Sequence, residues 1–181
     1  MSDLLGLVPV ALSVLLSILA GRSLRATGER AFSSMMAGAF FGLFSWFFSV
    51  YFLGGWLFVV FGAFTDSLIK IAGVNLRKEK KYSLFFGLGF GLATSFLSLF
   101  YSNALWLYGI IFALAAMLFH SSTSVIAHST EVFRPLPRLF LLSLLYNILL
   151  ALNSWESIII AMVYGIVLFH HQYRALRSTT E

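Results

Sequence analysis

The sequence predicts an all-α integral membrane protein with about seven transmembrane helices. Hydrophobic residues make up 60% of the 181 residues and charged residues only 10%, whereas soluble proteins have about 25% charged residues. The apolar residues fall into seven segments, and all but one of the basic residues follow every second segment. These observations predict a single transmembrane helical domain over residues 1–181, located in the cell membrane as a multi-pass protein.

Seven apolar stretches of about the length of a membrane span define the predicted helices. They cover residues 4–20, 31–53, 56–74, 83–101, 105–128, 139–153 and 157–173. The first has no basic residue before it and a poor cleavage site after it, so it is interpreted as a span and not as a signal peptide. The stretch 139–153 is short, so residues 139–173 form either two spans or one re-entrant or tilted hairpin.

The positive charges test this segmentation independently of hydropathy. Eleven of the twelve Lys and Arg residues follow the first, third, fifth and seventh segments, and the other connections contain none. Because cytoplasmic connections are enriched in Lys and Arg, the alternation predicts an outside N-terminus and a cytoplasmic C-terminus. The same rule accounts for the net charge of +5, so membrane lipids and not nucleic acid are the expected partners. The oligomeric state is not predicted.

Small and polar residues recur at helical spacing in three segments and indicate the faces that point into the bundle. Close helix packing is the simplest interpretation of these stripes. They consist of Ser34, Gly38, Gly42, Ser45 and Ser49 in the second segment, Gly87, Gly91, Thr94, Ser95 and Ser98 in the fourth, and Gly109, Ala113, Ala116, His120 and Ser124 in the fifth.

The twelfth basic residue, Lys70, follows Asp66 by four residues inside the third segment. A charged side chain at bilayer depth costs several kcal/mol unless it is paired or faces water, so both residues are functional candidates. Two interpretations remain open. Either the two charges form a coupled pair in a polar cleft, or Lys70 snorkels to the cytoplasmic interface and pairs with Asp66 only incidentally.

Helix geometry predicts that further polar residues lie near this pair. A rise of about 1.5 Å per residue places five residues in the middle and inner half of a bilayer about 30 Å thick, namely Asp66, Lys70, Thr94, His120 and Asn147. His120 also shares a helix face with Ser124 and His128, a spacing that positions either a metal ligand or a general base. A buried histidine bonded to a neighbour is the simpler interpretation.

Residues 56–153 resemble the PrsW family of polytopic intramembrane peptidases, which is related to the CAAX-processing and bacteriocin-processing membrane peptidases. The resemblance is carried by the runs DSLIK (66–70), GLGFGLATS (87–95), FHSST (119–123) and YN (146–147). Lys70, the glycine run, His120 and Asn147 match the family's pattern. Asp66 and Ser67 stand in place of its paired Glu, and Thr94 and Ser95 in place of its Glu-Asn.

These departures fall on the chemistry that the resemblance implies. Peptide hydrolysis requires a carboxylate that activates water, directly or through a metal, and Asp66 is the only carboxylate left at depth. One carboxylate and one histidine are fewer than the three protein ligands usual for a catalytic zinc. Neither a metal nor a cofactor is therefore expected. The chain has no cysteine, which excludes disulfides and thiolate metal sites.

The sequence therefore favours a PrsW-like scaffold with reduced or absent catalytic capacity. On this interpretation an inward-facing polar cleft binds a membrane segment, a peptide or a lipid-like partner through Lys70, Thr94, Ser124 and Asn147. The first alternative is an active intramembrane peptidase with Asp66 as general base and His120 as the group that orients or stabilises the oxyanion. The second is a small transporter or a subunit of a membrane complex, although no duplicated halves are evident.

Overall fold

Seven α-helices make up the regular structure of the described chain. The computed structural model describes residues 7–52, 56–76, 79–101, 106–129, 131 and 133–178, and within these ranges every regular element is helical. This confirms the prediction of an all-α fold. The helices are α1 (Leu7–Ser23), α2 (Gly28–Phe52), α3 (Trp56–Asn75), α4 (Lys81–Tyr101), α5 (Trp106–Ala127), α6 (Leu136–Ala151) and α7 (Trp155–Arg177).

Each helix overlaps one predicted segment, and the differences lie at the ends. α6 begins at Leu136 and not at residue 139 because prolines flank its start, where a missing N–H breaks no helical hydrogen bond. α7 begins at Trp155 because Ser154 and Ser157 form a capping box. The predicted ends at residues 4, 53 and 105 lie outside the described residues.

Residues 139–173 form parts of two separate helices. The turn between α6 and α7 includes Asn153 in the left-handed region, with φ of 45°, a conformation that asparagine tolerates better than most residues. α6 has 16 residues and is therefore about 24 Å long, which is shorter than a bilayer core of about 30 Å. The sixth helix is thus as short as the sequence predicts.

The centre of the bundle is formed by α4 and α5. α4 packs most extensively against α2 and α5, α5 packs extensively against α7, and α3 packs mainly against α6. Residues 82–91 of α4 are buried without interruption, as expected for a helix surrounded by protein. The more peripheral helices α1, α2 and α7 carry many of the exposed apolar side chains.

Glycines set the closest approach between α2 and α4. A Cβ atom on Gly38 would lie 1.8 Å from the carbonyl oxygen of Phe86, and one on Gly89 would lie 1.8 Å from that of Met35. Only glycine fits at such distances, because the two backbones are in direct contact. The predicted stripe on the second segment is therefore a packing face, although the side chain of Ser49 lies outside those described.

The predicted stripe on the fourth segment packs against α5. A Cβ atom on Gly87 would lie 2.3 Å from the carbonyl oxygen of His120, and one on Gly91 would lie 2.6 Å from the Cα of Met117. The backbones of α4 and α5 are thus also in contact, and His120 is brought directly against α4. The side chain of Ser98 lies outside those described.

The connections that carry the basic residues meet at one end of the bundle, called here the basic end. The hydroxyl groups of Thr27, in the α1–α2 turn, and Tyr82, at the start of α4, are 3.0 Å apart. The backbone N–H of Ser129 after α5 donates to the Asn75 side chain at the end of α3, at 3.4 Å. Leu176, near the end of α7, belongs to the same buried cluster as Tyr82.

The connections without basic residues include the α6–α7 turn, which lies at the opposite end. There the Tyr108 hydroxyl, near the start of α5, donates to the side chain of Asn153 at 2.9 Å. The Tyr108 ring also packs edge-on against Trp155 at the start of α7, with 5.3 Å between centroids. Among the described residues, the α6–α7 turn and the basic connections therefore lie at opposite ends of the bundle.

Within the part of the chain that the structure describes, two helical stretches are long and apolar enough to cross a bilayer, namely Gly28–Phe48 in α2 and Leu107–Ala127 in α5. Pro9–Ser23 and Leu136–Ala151 are shorter apolar helices. Length and composition thus give a weak indication of membrane association, and crossing by all seven helices remains a prediction.

Replacing Gly38 by alanine is expected to destabilise the protein. Alanine is the better helix former by about 1 kcal/mol, but its Cβ would overlap the Phe86 carbonyl, and overpacking of this kind typically costs about 1–3 kcal/mol. Gly21→Ala is the matched control, because its Cβ would meet only a ring atom at 3.9 Å. Thermal unfolding in detergent measures both variants. Equal stability of the two would show that the α2–α4 contact is looser than described.

Candidate functional site

A cavity of about 70 Å³ lies between five helices, from α2 to α6, in the interior of the bundle. Four of the six predicted site residues line it, namely Asp66, Thr94, His120 and Asn147. The structure thus brings these four polar residues from separate segments to one cavity. Lys70 and Ser124 are not part of the lining.

Asp66 supplies the negative charge of the cavity. Its side chain is half-buried on α3 and accepts a hydrogen bond from the hydroxyl group of Ser45 on α2. Ser45 lies on the predicted packing stripe, but its role as the partner of Asp66 was not predicted. Asp66 is the only formally charged residue in the lining, so the cavity offers a carboxylate to whatever occupies it.

Lys70 is fully buried and its ammonium group has an unexpected set of partners. Nζ donates a hydrogen bond to Thr123 Oγ1 at 2.9 Å and lies 5.2 Å and 5.0 Å from the ring centroids of Phe90 and Phe119. Both distances are within the range of cation–π attraction. The interpretation that Lys70 snorkels to water is therefore wrong, because the side chain is 0% exposed.

The predicted pairing of Asp66 with Lys70 does not take the form of a direct ion pair. The ion pairs closer than 4.0 Å in the described part of the chain join Arg30 to Glu79, Lys81 to Glu79 and Arg134 to Glu131. The spacing of four residues does place Asp66 and Lys70 on one helix face. The carboxylate, however, bonds to α2, whereas the amine lies against α4 and α5. The two charges therefore act on one another only across this separation.

The residues around the amine form a group beside the cavity, on the side of the basic end. We call them the lysine layer, which comprises Lys70, Phe90, Phe119 and Thr123. On α3, Lys70 lies one helical turn nearer the basic end than Asp66, which lines the cavity. On α4, Phe90 lies one turn nearer that end than Thr94. Toward the opposite end the cavity walls are apolar and include Trp46, Phe112 and Leu150. The cavity thus has a polar floor and apolar walls.

His120 lines the cavity, and one of its two ring nitrogens is buried without a hydrogen-bond partner among the described residues. Its side chain is buried, its ring centroid lies 4.8 Å from that of Phe90, and its Nδ1 has no hydrogen-bond partner among the described residues. Nδ1 therefore lacks the bonded neighbour that the simpler interpretation expects. Ser124 is fully buried and does not line the cavity. Its Oγ likewise has no hydrogen-bond partner among the described residues.

α6 contributes two neighbouring residues, of which only Asn147 was predicted. The Asn147 side-chain amide donates to the carbonyl oxygen of Val59 at 3.3 Å, which joins α6 to α3. Tyr146 lines the cavity and stacks on Phe119, with 4.0 Å between centroids. Its hydroxyl group is buried with no partner among the described residues. A buried tyrosine hydroxyl group usually has a hydrogen-bond partner. A tyrosine inside an apolar segment is therefore a signal in the sequence that could have identified Tyr146 as a site residue.

The three hydroxyl residues that stand in place of Glu or Asn in the PrsW-like pattern donate hydrogen bonds to their own helices. Ser67 donates to the carbonyl oxygen of Ala63 at 2.7 Å, and Ser95 to that of Leu92 at 3.1 Å. Thr94 donates to the carbonyl oxygen of Phe90 at 3.1 Å. Their protons are therefore used locally, and none of these groups replaces a carboxylate as a proton acceptor for water.

The described residues contain no cluster of three or more His, Asp or Glu side chains that could hold a metal ion. In the cavity lining, Asp66 and His120 are the two side chains of this kind, one short of the usual catalytic zinc site. The absence of a bound metal remains a prediction. What the arrangement offers chemically is one carboxylate and one imidazole that can contact the same small group.

Comparison of the chain with protein-family models, with curated proteins and with solved structures finds no match. The resemblance to the PrsW family therefore remains a prediction that rests on the residue pattern.

The two interior charges are expected to stabilise one another despite their separation. Asp66→Asn and Lys70→Met each leave one charge without its counter-charge, so each change is expected to lower the unfolding temperature. The double variant should lose less than the sum of the single losses. Thermal unfolding in detergent of the three variants measures this coupling, and strictly additive losses would show that the charges are independent.

Proposed function

We propose that the chain is a multi-pass protein of the cell membrane, with the basic end in the cytoplasm. Large apolar side chains are exposed along the outer helices, and Phe40 on α2 and Val167 on α7 are 67% and 62% exposed. Soluble monomers rarely expose contiguous apolar patches larger than a few hundred Å², whereas lipid tails would cover such surfaces. The grouping of basic connections at one end supports the same orientation.

The cavity around Asp66, called here the polar cleft, binds a polar group of a membrane-embedded partner. This partner is either a lipid-like molecule or a peptide segment. The observation that carries this proposal is the half-buried Asp66 carboxylate on the polar floor of a cavity with apolar walls. Since no cationic side chain lines the cavity, the complementary group is a cation or a hydrogen-bond donor.

The volume of the cavity limits how much of the partner can enter. Pockets that enclose a whole drug-sized ligand measure about 300–1,000 Å³, and one water occupies about 30 Å³ of liquid. A cavity of about 70 Å³ therefore accepts one small head group such as an ammonium. The rest of the partner would lie along the apolar walls and in the lipid.

An intramembrane peptidase is the second candidate, because Asp66 and His120 line the same cavity. Asp66 would then be the general base, and the cavity would have to open to admit a peptide bond. The locally bonded hydroxyl groups of Ser67, Thr94 and Ser95 weigh against this candidate. Elemental analysis giving about one zinc per chain, lost on changing His120→Ala, would favour the peptidase instead.

The proposed orientation predicts which side of the membrane each end faces. The chain has no cysteine, so single cysteines can be introduced at the exposed residues Lys80 and Glu156. In intact cells a membrane-impermeant maleimide should label Glu156→Cys, whereas Lys80→Cys should react only after the cells are opened. Labelling of Lys80→Cys in intact cells would overturn the orientation.

Binding of an amine in the cleft is expected to stabilise the protein. Hexylamine should raise the unfolding temperature in detergent, because a ligand at ten times its Kd contributes about 1.4 kcal/mol. 1-Hexanol, which has the same chain without the charge, should have a smaller effect. Asp66→Asn should abolish the difference between the two compounds, whereas the matched change of an exposed carboxylate, Glu156→Gln, should preserve it. Equal effects of the amine and the alcohol on the wild-type protein would contradict the proposal.

A further inference from the structure

A second and larger cavity lies between α1 and α2, where these helices make few contacts with one another and are held instead by α4. We call it the α1–α2 groove. Its volume is about 380 Å³, within the range of about 300–1,000 Å³ that is typical of ligand sites. None of its lining residues belongs to the polar cleft. They include Val14, Ile18, Arg22, Ala31, Phe32 and Met35.

The walls of the groove suit a hydrocarbon chain. Val14 and Ile18 form the α1 side, and Phe32 and Met35 form the α2 side. Arg22 lies eight residues after Val14, so the lined part of α1 is about 12 Å long. One leaflet of a bilayer has a hydrocarbon layer of about 15 Å. The groove therefore matches an acyl chain that enters from the basic end.

The charge at the mouth of the groove suits an anion. Arg22 lines the groove and is exposed, and Arg25 is exposed in the adjoining turn. Neither residue has an ion-pair partner within 4.0 Å in the described part of the chain, whereas the side chain of Arg30 is bonded to Glu79 at 2.8 Å. An arginine guanidinium binds phosphate oxygens through two parallel hydrogen bonds.

The turn that carries these arginines is anchored to the bundle. Leu24 is 0% exposed and belongs to the buried cluster of α4 and α5. Thr27 is hydrogen-bonded to Tyr82 at 3.0 Å. The position of Arg22 relative to the groove is therefore set by the fold, which reduces the loss of conformational freedom on binding.

We propose that the α1–α2 groove binds an anionic phospholipid, with its phosphate on Arg22 and one acyl chain between α1 and α2. The proposal rests on the membrane location proposed above, and it is independent of what occupies the polar cleft. Arg25 adds to the positive potential at the mouth.

Native mass spectrometry in detergent tests the site with phosphatidylglycerol and phosphatidylcholine of equal chain length. The wild-type protein should bind phosphatidylglycerol at least fivefold more tightly, since one basic residue near a membrane surface contributes about 1 kcal/mol, which is about fivefold. Arg22→Gln should reduce that preference about fivefold. The control Arg138→Gln changes another exposed arginine of the basic end and should leave the preference unchanged.

The acyl part of the proposal needs a separate variant. Ile18→Trp places a bulky ring in the groove from a position that is 48% exposed, and it should weaken the binding of both lipids severalfold without unfolding the protein. Excess glycerol 3-phosphate should not displace the bound lipid. An unchanged preference in Arg22→Gln, full binding by Ile18→Trp, or displacement by glycerol 3-phosphate would each overturn the proposal.

Discussion

The burial of the Lys70 ammonium group is the constraint on which the interior of this bundle depends. A cation removed from water is tolerated only with good partners, and here they are one hydroxyl group and two phenyl faces supplied by α4 and α5. These groups surround the amine because Gly87 and Gly91 bring the two backbones into contact. Close packing of apolar helices thus creates the environment that holds a charge.

The position of Lys70 also determines whether the charge of Asp66 is neutralised by a direct ion pair. If the amine bonded directly to the carboxylate, the pair would be neutral and the cavity would have no charge to offer. Instead the lysine layer holds the amine one turn away, and Asp66 retains only the Ser45 hydrogen bond. The cavity thereby presents a carboxylate on its floor. This separation of charges favours recognition of a cationic or hydrogen-bond-donating group.

Much of the fold could be predicted from the sequence, because apolar segments of helical length directly indicate the number and approximate position of the helices. Depth counting also brought Asp66, Thr94, His120 and Asn147 together correctly. The spacing of polar residues, however, does not tell which of two neighbouring residues of a helix makes a given contact. It selected Ser124, four residues after His120, where the structure uses Thr123. The bond of Ser45 to Asp66 and the place of Tyr146 in the cavity lining depend on how the helices are rotated against one another. The sequence of a single segment does not encode that rotation.

The hydroxyl groups of Ser67, Thr94 and Ser95, which stand in place of Glu or Asn in the PrsW-like pattern, help to decide between binding and catalysis. A serine or threonine could retain some catalytic use if its oxygen faced the reacting groups. Ser67 and Ser95 instead donate to carbonyl oxygens within α3 and α4, and both are fully buried outside the cavity lining. Thr94 does line the cavity, but its proton is also directed to its own helix, so it can only accept a hydrogen bond from an occupant. With Asp66 as the second acceptor, the floor is suited to hold a donor group in place. Asp66, His120 and Tyr146 are the titratable side chains in the described lining.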